Sequence, residues 1–209
     1  MTPGRRLFLF DMDDVVYTYD RAARIRVIAA ATGLAPGLIE ERIWLSGFQD
    51  EADAGLYPTA EAYLDGWRER LGTAISAELW TAARAAGMTP IPGTLALLDA
   101  LSRRTEASIA VLTNNGPMVA ITRHRLVPEL AALTGERFLV SSAFGTRKPD
   151  PEVYRRALAR LGYTASAAFF VDDRPENVAG AATAGLTAHR FTTPDMLSAA
   201  IASFDEARR

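Results

Sequence analysis

From residue 107 onward the chain alternates between short β-rich runs and helical stretches, and this alternation constrains the fold more than any other feature. SIAVLTNN, RFLVSS, AAFFVDD and TAHRF are separated by PMVAITRHRLVPEL, PEVYRRALARLG and RPENVAGAATAG. Apolar strands that alternate with helices form a parallel sheet covered on both faces, so an α/β fold is expected. LFLF at 7–10 supplies one further strand. Residues 21–88 break the pattern: RAARIRVIAAATG, APGLIEERIWLSGF, TAEAYLDGWRERLG and SAELWTAARAAG mix apolar and charged residues at helical spacing and each stops near a glycine. This predicts four short helices inserted after the first strand, with MTPIPGTLALLDALSRR as the return linker and a following amphipathic helix. The expected division is a catalytic core from 1–16 and 89–209 and a helical block from 17–88.

Composition removes several function classes. The 209 residues carry a net charge of -2, with no basic stripe of the kind that a nucleic-acid footprint requires. There is no cysteine, which excludes a disulfide framework, a thiolate metal site and a thiol nucleophile, and is compatible with a cytoplasmic location. The apolar run at the N-terminus ends at Asp11 after four residues, too short for a signal peptide or a membrane span. Of the 23 basic residues, Lys148 is the only lysine. In a chain that uses arginine wherever a positive charge suffices, a lysine that persists is needed as a lysine.

Ligands of an open parallel sheet bind beyond the carboxyl ends of its strands. LFLF runs into Asp11 and Asp13, IAVL into Thr113, Asn114 and Asn115, and AFFV into Asp172 and Asp173. Lys148 follows RFLVSS in the loop GTRKPDPEVY. Singly, each has a structural explanation: an aspartate caps a helix or closes a turn, Thr113 and Asn114 start a helix before Pro117, and Lys148 is a surface loop residue. Four such placements on one edge are better explained by a site. Crowded carboxylates repel, and oxygen ligands without histidine or cysteine select a hard cation such as Mg²⁺. With Lys148 and the Thr113 hydroxyl as further donors, the edge suits a phosphate group, and a carboxylate there can attack to give an aspartyl phosphate.

These motifs, DMD at 11–13, the threonine of VLTNN, the lysine of GTRKPDPEVY and the aspartate pair of FFVDDRPENVAGA, resemble in order and spacing those of the haloacid dehalogenase-like hydrolases, most of which are phosphatases. The resemblance spans residues 7 to about 190. It implies a Rossmann-like, doubly wound parallel sheet. It also implies Asp11 as the nucleophile, Asp13 as the general acid and base that touches the metal through its main-chain carbonyl, and Thr113, Asn114 and Lys148 as the groups that hold the phosphoryl oxygens. Asp173, or its neighbour Asp172, would ligate Mg²⁺ with Asn177 behind them. The helical block resembles the small α-helical cap of these enzymes. Tyr17, Tyr19, Arg21, Trp44, Phe48, Gln49 and Trp67 are its candidate substrate contacts, although packing or a plain helix surface is the expected role of each. His124 and His189 belong to no motif. Asp14 stands where many relatives have glycine, a position that an aspartate tolerates. The cap has neither lysine nor histidine, which disfavours a phosphosugar mutase.

A small-molecule phosphate ester, not nucleic acid or membrane, is the implied partner; the oligomeric state is open. Two rivals remain. One is a metal-independent 2-haloacid dehalogenase of the same fold, which typically lacks an acid at the position of Asp13. The other is a non-catalytic descendant that binds a metabolite or a partner protein.

Overall fold

The computed structural model describes residues 5–208; residues 1–4 and 209 of the expected core segments lie outside them. Five parallel strands form the central sheet: β1 (Arg6–Phe10), β4 (Ala107–Thr113), β5 (Phe138–Val140), β6 (Ala168–Asp172) and β7 (Thr187–Arg190), in the order β5-β4-β1-β6-β7. This is the parallel α/β sheet expected from the alternating pattern, in the doubly wound arrangement that the resemblance implies. Because strand side chains alternate, Leu7 and Leu9 face one side of the sheet and Phe8 and Phe10 the other, and each pair enters a separate apolar cluster. The Leu7 side packs on α9 (Pro151–Leu161) and α10 (Pro175–Thr183) through Tyr154, Ala157 and Ala181. The Phe8 side packs on α6 (Pro92–Ser102), α7 (Pro117–Leu126) and α11 (Pro194–Glu206) through Leu98, Val119 and Leu197. From β1 the chain goes to β4 and β5 on one side, then returns to β6 and β7 on the other. The switch point of the sheet therefore lies between β1 and β6, where ligands of such folds sit.

The stretch after β1 differs in detail from its expectation. Tyr17–Tyr19 is a strand, β2, that pairs antiparallel with β3 (Met88–Pro90), so both ends of the insertion are tied into one ribbon. Three residues ending in a proline carry too little pattern to be read as a strand, and proline is tolerated here because the ribbon is all edge. Between them lie α1 (Arg21–Thr32), α2 (Pro36–Glu40), α3 (Phe48–Asp53), α4 (Ala60–Leu71) and α5 (Ala77–Ala86). The second expected helix is broken: α2 runs into a π-helical turn at Glu41–Leu45, and Gly47 then turns the chain at φ 83° to start α3. The third and fourth are formed as expected, opened by Thr59 and Ser76, whose hydroxyls accept from the amides of Ala62 and Leu79. In the core, Pro128 splits the expected 117–130 helix into α7 and α8 (Pro128–Thr134), and α11 was not foreseen. No single helix among the described residues is long and apolar enough to cross a membrane.

Candidate active site

Phe10 lies beside Val171 in the sheet, and the Asp11 amide donates to the Val171 carbonyl at 2.9 Å. The acid-bearing ends of β1 and β6 are thereby brought together. Asp11 and Asp172 are buried and Asp173 is half-buried; one carboxylate oxygen from each lies within 4.8 Å of the others. Lys148, only 1% exposed, reaches between them from its loop, its Nζ 2.8 Å from Asp11 Oδ1 and 2.6 Å from Asp172 Oδ2. Burial alone would lower the pKa of this ammonium, but Asp11 and Asp172 outweigh it and hold Lys148 above its ordinary value.

One ammonium does not balance three carboxylates. Asp11 Oδ1 is buried, and its one polar neighbour is the Lys148 ammonium at 2.8 Å, which it shares with Asp172. Burial, aided by the charges of Asp172 and Asp13, pushes the Asp11 carboxyl up to about 8 in spite of Lys148. Burial beside Asp172 and Asp14 pushes Asp173 up to about 6. A cluster of three hard oxygen donors with only one ammonium among them fits a small divalent cation, with Asp11 and Asp173 as the residues that would hold it. Asp172 is committed elsewhere: besides Lys148, it accepts from the Arg174 amide at 3.0 Å and from Asn177 Nδ2 on both oxygens, at 2.9 and 3.0 Å. Asn177 is thus a support for Asp172.

The loop that carries Lys148 is fixed from two sides. The Asn114 carboxamide exchanges two 2.9 Å hydrogen bonds with the main chain of Lys148, accepting from its amide and donating to its carbonyl. Both ends of the side chain expected to hold phosphate are spent on positioning the lysine. On the other side α10 comes so close that a Cβ at Gly180 would lie 2.0 Å from the Pro149 carbonyl oxygen, so only glycine fits. Thr113 is buried at the end of β4, and its Oγ1 accepts from Asn115 Nδ2 at 2.8 Å, which leaves the hydroxyl proton to donate to a ligand. Asp14 takes φ 58°, and its carboxylate accepts from the Tyr19 amide at 3.0 Å, closing the turn that leads into β2.

Asp13 stands outside the acidic triad. Its carboxylate turns to the insertion, where Arg84 Nη2 on α5 lies 2.7 Å from Oδ1 and 2.6 Å from Oδ2. Burial would lower the pKa of Arg84; Asp13 and Tyr19 more than restore it, and the Arg84 guanidinium lies 4.2 Å from the centre of the Tyr19 ring. Asp13 and Arg84 form part of the wall of an open cavity of about 270 Å³ between insertion and sheet, lined on the sheet side by Asp11, Thr113, Lys148 and Asp173. Tyr19, Arg21, Trp44 and Gln49 line its other side, although packing or a plain helix surface was the expected role of each. Tyr17 instead donates its hydroxyl to Glu129 at 2.9 Å, and Phe48 and Trp67 are fully buried in the insertion's apolar core. Neither His124 nor His189 lines the cavity. Sequence reasoning missed Arg24, Arg84, Asp50 and Asp53, which also line it. The signal was there for the arginines: Arg24 shares its helix face with Ile28, and Arg84 with Trp80, so each places a charge on an apolar stripe.

The chain is 31% identical over 187 residues to Phosphatase MT3486 of Mycobacterium tuberculosis, covering 87% of this chain and 84% of that protein. A shorter stretch of 88 residues, 42% of this chain and 34% of the other, is 37% identical to the phosphoserine phosphatase of Thermus thermophilus. The fold matches a HAD family enzyme of Bacteroides thetaiotaomicron, crystallised with magnesium and inorganic phosphate, at a TM-score of 0.72 and 23% identity over 91% of this chain and 96% of that one. It also matches a 2-haloacid dehalogenase of Pseudomonas syringae at a TM-score of 0.60 and 23% identity, over 90% of this chain and 86% of that one. The family model of the haloacid dehalogenase-like hydrolases matches residues 5–185. The sheet, the acidic strand ends and the family match lead to one conclusion: this chain belongs to the haloacid dehalogenase-like hydrolases.

Proposed function

We propose that the protein is a Mg²⁺-dependent phosphatase that hydrolyses a small phosphorylated metabolite through an aspartyl phosphate on Asp11. The observation that carries this reading is the place of the lone lysine, buried between Asp11 and Asp172 beside a carboxylate cluster that it leaves short of positive charge. The curated relative named a phosphatase supports the same reaction class.

In this reading an Asp11 oxygen attacks phosphorus, the bond from phosphorus to the leaving oxygen breaks, and Asp13 gives that oxygen a proton. Water then attacks the phosphoryl group while Asp13 takes its proton, and the bond to Asp11 breaks to release phosphate. Lys148 neutralises Asp11 as it approaches the phosphate and then stabilises the negative charge of the transferring group, and the Thr113 hydroxyl donates to one of its oxygens. Mg²⁺ held by Asp11 and Asp173 would supply the remaining positive charge for the carboxylates and the phosphoryl oxygens. Asp13 delivers its proton only after one of its oxygens turns away from Arg84, which ties the acid to the position of α5. The helical block between β2 and β3 then acts as a cap that excludes water and contacts the substrate.

Phosphate release from an aryl phosphate in Mg²⁺ and in chelator tests the reading. Release only with the metal supports it. Halide release from a 2-haloacid in chelator would establish the dehalogenase instead, and Asp13 with the Asp172–Asp173 pair argues against that outcome.

A further inference from the structure

The cavity's cations are balanced by protein carboxylates with one exception. Lys148 has Asp11 and Asp172, Arg84 has Asp13, Arg147 lies 2.9 Å from Asp50, Arg174 2.6 Å from Glu176 and the more exposed Arg21 3.9 Å from Glu40. Arg24 on α1 lines the same cavity, is 3% exposed, and among the described residues has no carboxylate partner. Its guanidinium is boxed by three indoles, 4.7 Å from the ring centre of Trp80 and 5.4 Å from those of Trp44 and Trp67. It donates to one protein acceptor, the Tyr19 hydroxyl, at 3.2 Å.

Indole faces attract a cation but accept no directed hydrogen bond of ordinary strength. Arg24 Nε and Nη2 are both buried without an acceptor, and so are the neighbouring Trp67 Nε1, Trp80 Nε1, Gln49 Nε2 and Arg84 Nε. Six unpartnered donors are thus gathered around Arg24 and Arg84 in the insertion, and of their residues Arg24, Arg84 and Gln49 line the cavity. Each buried donor left unpaired costs about 1–3 kcal/mol, more where it is charged. Packing does not explain the arrangement, since a methionine would fill an aromatic box with no charge to desolvate. This region is built for something rich in acceptors and negatively charged, and it lies beside the site that would take a phosphate.

Resting on the phosphatase reading above, we propose that the substrate is a short phosphorylated acid, whose phosphate meets Lys148 and Thr113 and whose carboxylate is bound by Arg24 with Gln49. A carboxylate matches a planar guanidinium through two parallel hydrogen bonds, which a hydroxyl or an amide does not. A cavity of about 270 Å³ holds a phosphoryl group together with a chain of a few carbons.

The test compares matched pairs at equal chain length with Mg²⁺: phosphoglycolate against ethyl phosphate, 3-phosphoglycerate against glycerol 3-phosphate, and 4-phosphooxybutanoate against butyl phosphate. For the best pair, kcat/KM is expected to favour the acid at least tenfold, and Arg24→Met is expected to bring that ratio to within about threefold of one. The within-variant ratio cancels any general loss of rate. No preference in any pair, or a preference that survives in Arg24→Met, overturns the proposal. Should Arg24→Met fail to fold, Gln49→Leu is read in the same way, with a fall in the ratio expected. If neither member of any pair is hydrolysed, the aryl phosphate assay decides the phosphatase reading, and thermal shifts decide the carboxylate site alone. A larger shift with the acid than with its neutral partner supports it, and equal shifts overturn it.

Discussion

Lys148 and Arg24 are both buried cations facing the same cavity, and they are treated in opposite ways. The core gives Lys148 two carboxylates within 2.8 Å, holds its main chain with Asn114 and closes α10 over its loop at Gly180. The insertion gives Arg24 three indole faces, a single phenol and no acid. A charge fixed in place by the protein serves chemistry that is the same for every substrate. A charge left without a counter-ion serves recognition, since its partner arrives with the ligand. The burial of Tyr19 alone would raise its phenol, but Arg24 and Arg84 together hold it below its ordinary value, a sign of how much positive charge collects at that end of the cavity.

The largest expected contrast is in stability. Lys148→Met leaves two buried carboxylates without their cation and is expected to cost about 3–5 kcal/mol at neutral pH, together with all turnover. Lys148→Arg, which keeps the charge but not the compact ammonium, is expected to lose at least about tenfold in kcat. Urea melts and initial rates check both. Wild-type values for either would reduce Lys148 to an incidental lysine and dissolve the contrast.

Gly180→Ala comes next. Its methyl would press on the Pro149 carbonyl, so a loss of about 1–3 kcal/mol is expected, with a fall in kcat as the Lys148 loop shifts. A variant that loses stability without losing rate would show that the loop position tolerates movement.

Asp53 provides a pH handle on the insertion. Burial pushes its carboxyl from 3.8 up to about 7, against the pull of Arg147. Between these values the folded chain keeps a proton that the unfolded chain has given up, so stability falls as pH rises through this window. Asp53→Asn is expected to flatten the decline in thermal midpoint between about pH 5 and 7.5, by on the order of 1–2 kcal/mol. An unchanged slope would assign the decline to other groups.

The smallest effect sharpens the comparison most. Arg24→Met removes a buried charge that no acid balances and keeps contact with the indoles, so its urea midpoint is expected to stay within about 1 kcal/mol of wild type. A loss as large as that of Lys148→Met would mean that Arg24 is a structural cation after all.

The core was legible in the sequence because buried parallel strands read as unbroken apolar runs, and their acidic and hydroxyl residues fall at one edge by topology alone. Lys148 stood out as the only lysine. What escaped was whatever depends on contacts distant in sequence. Nothing near Asp13 signals that Arg84, 71 residues away, will meet its carboxylate. The resemblance assigned Asn114 to phosphate, yet its carboxamide is bound to the main chain of Lys148, which only the folded loop presents. The break in the second helix was hidden because APGLIEERIWLSGF keeps a helical pattern throughout. The helix α11 was readable as well: Thr193 caps Met196 with Pro194 in the first turn, and the buried Leu197, Ile201 and Phe204 recur at helical spacing.

A quenched single turnover of an aryl phosphate with Mg²⁺, followed by mass analysis of the peptide that contains Asp11, probes the nucleophile itself. One phosphoryl group is expected on Asp11 in the wild type and none in Asp11→Asn, which should also release no phosphate. Undiminished phosphate release by Asp11→Asn would contradict the assignment at its root.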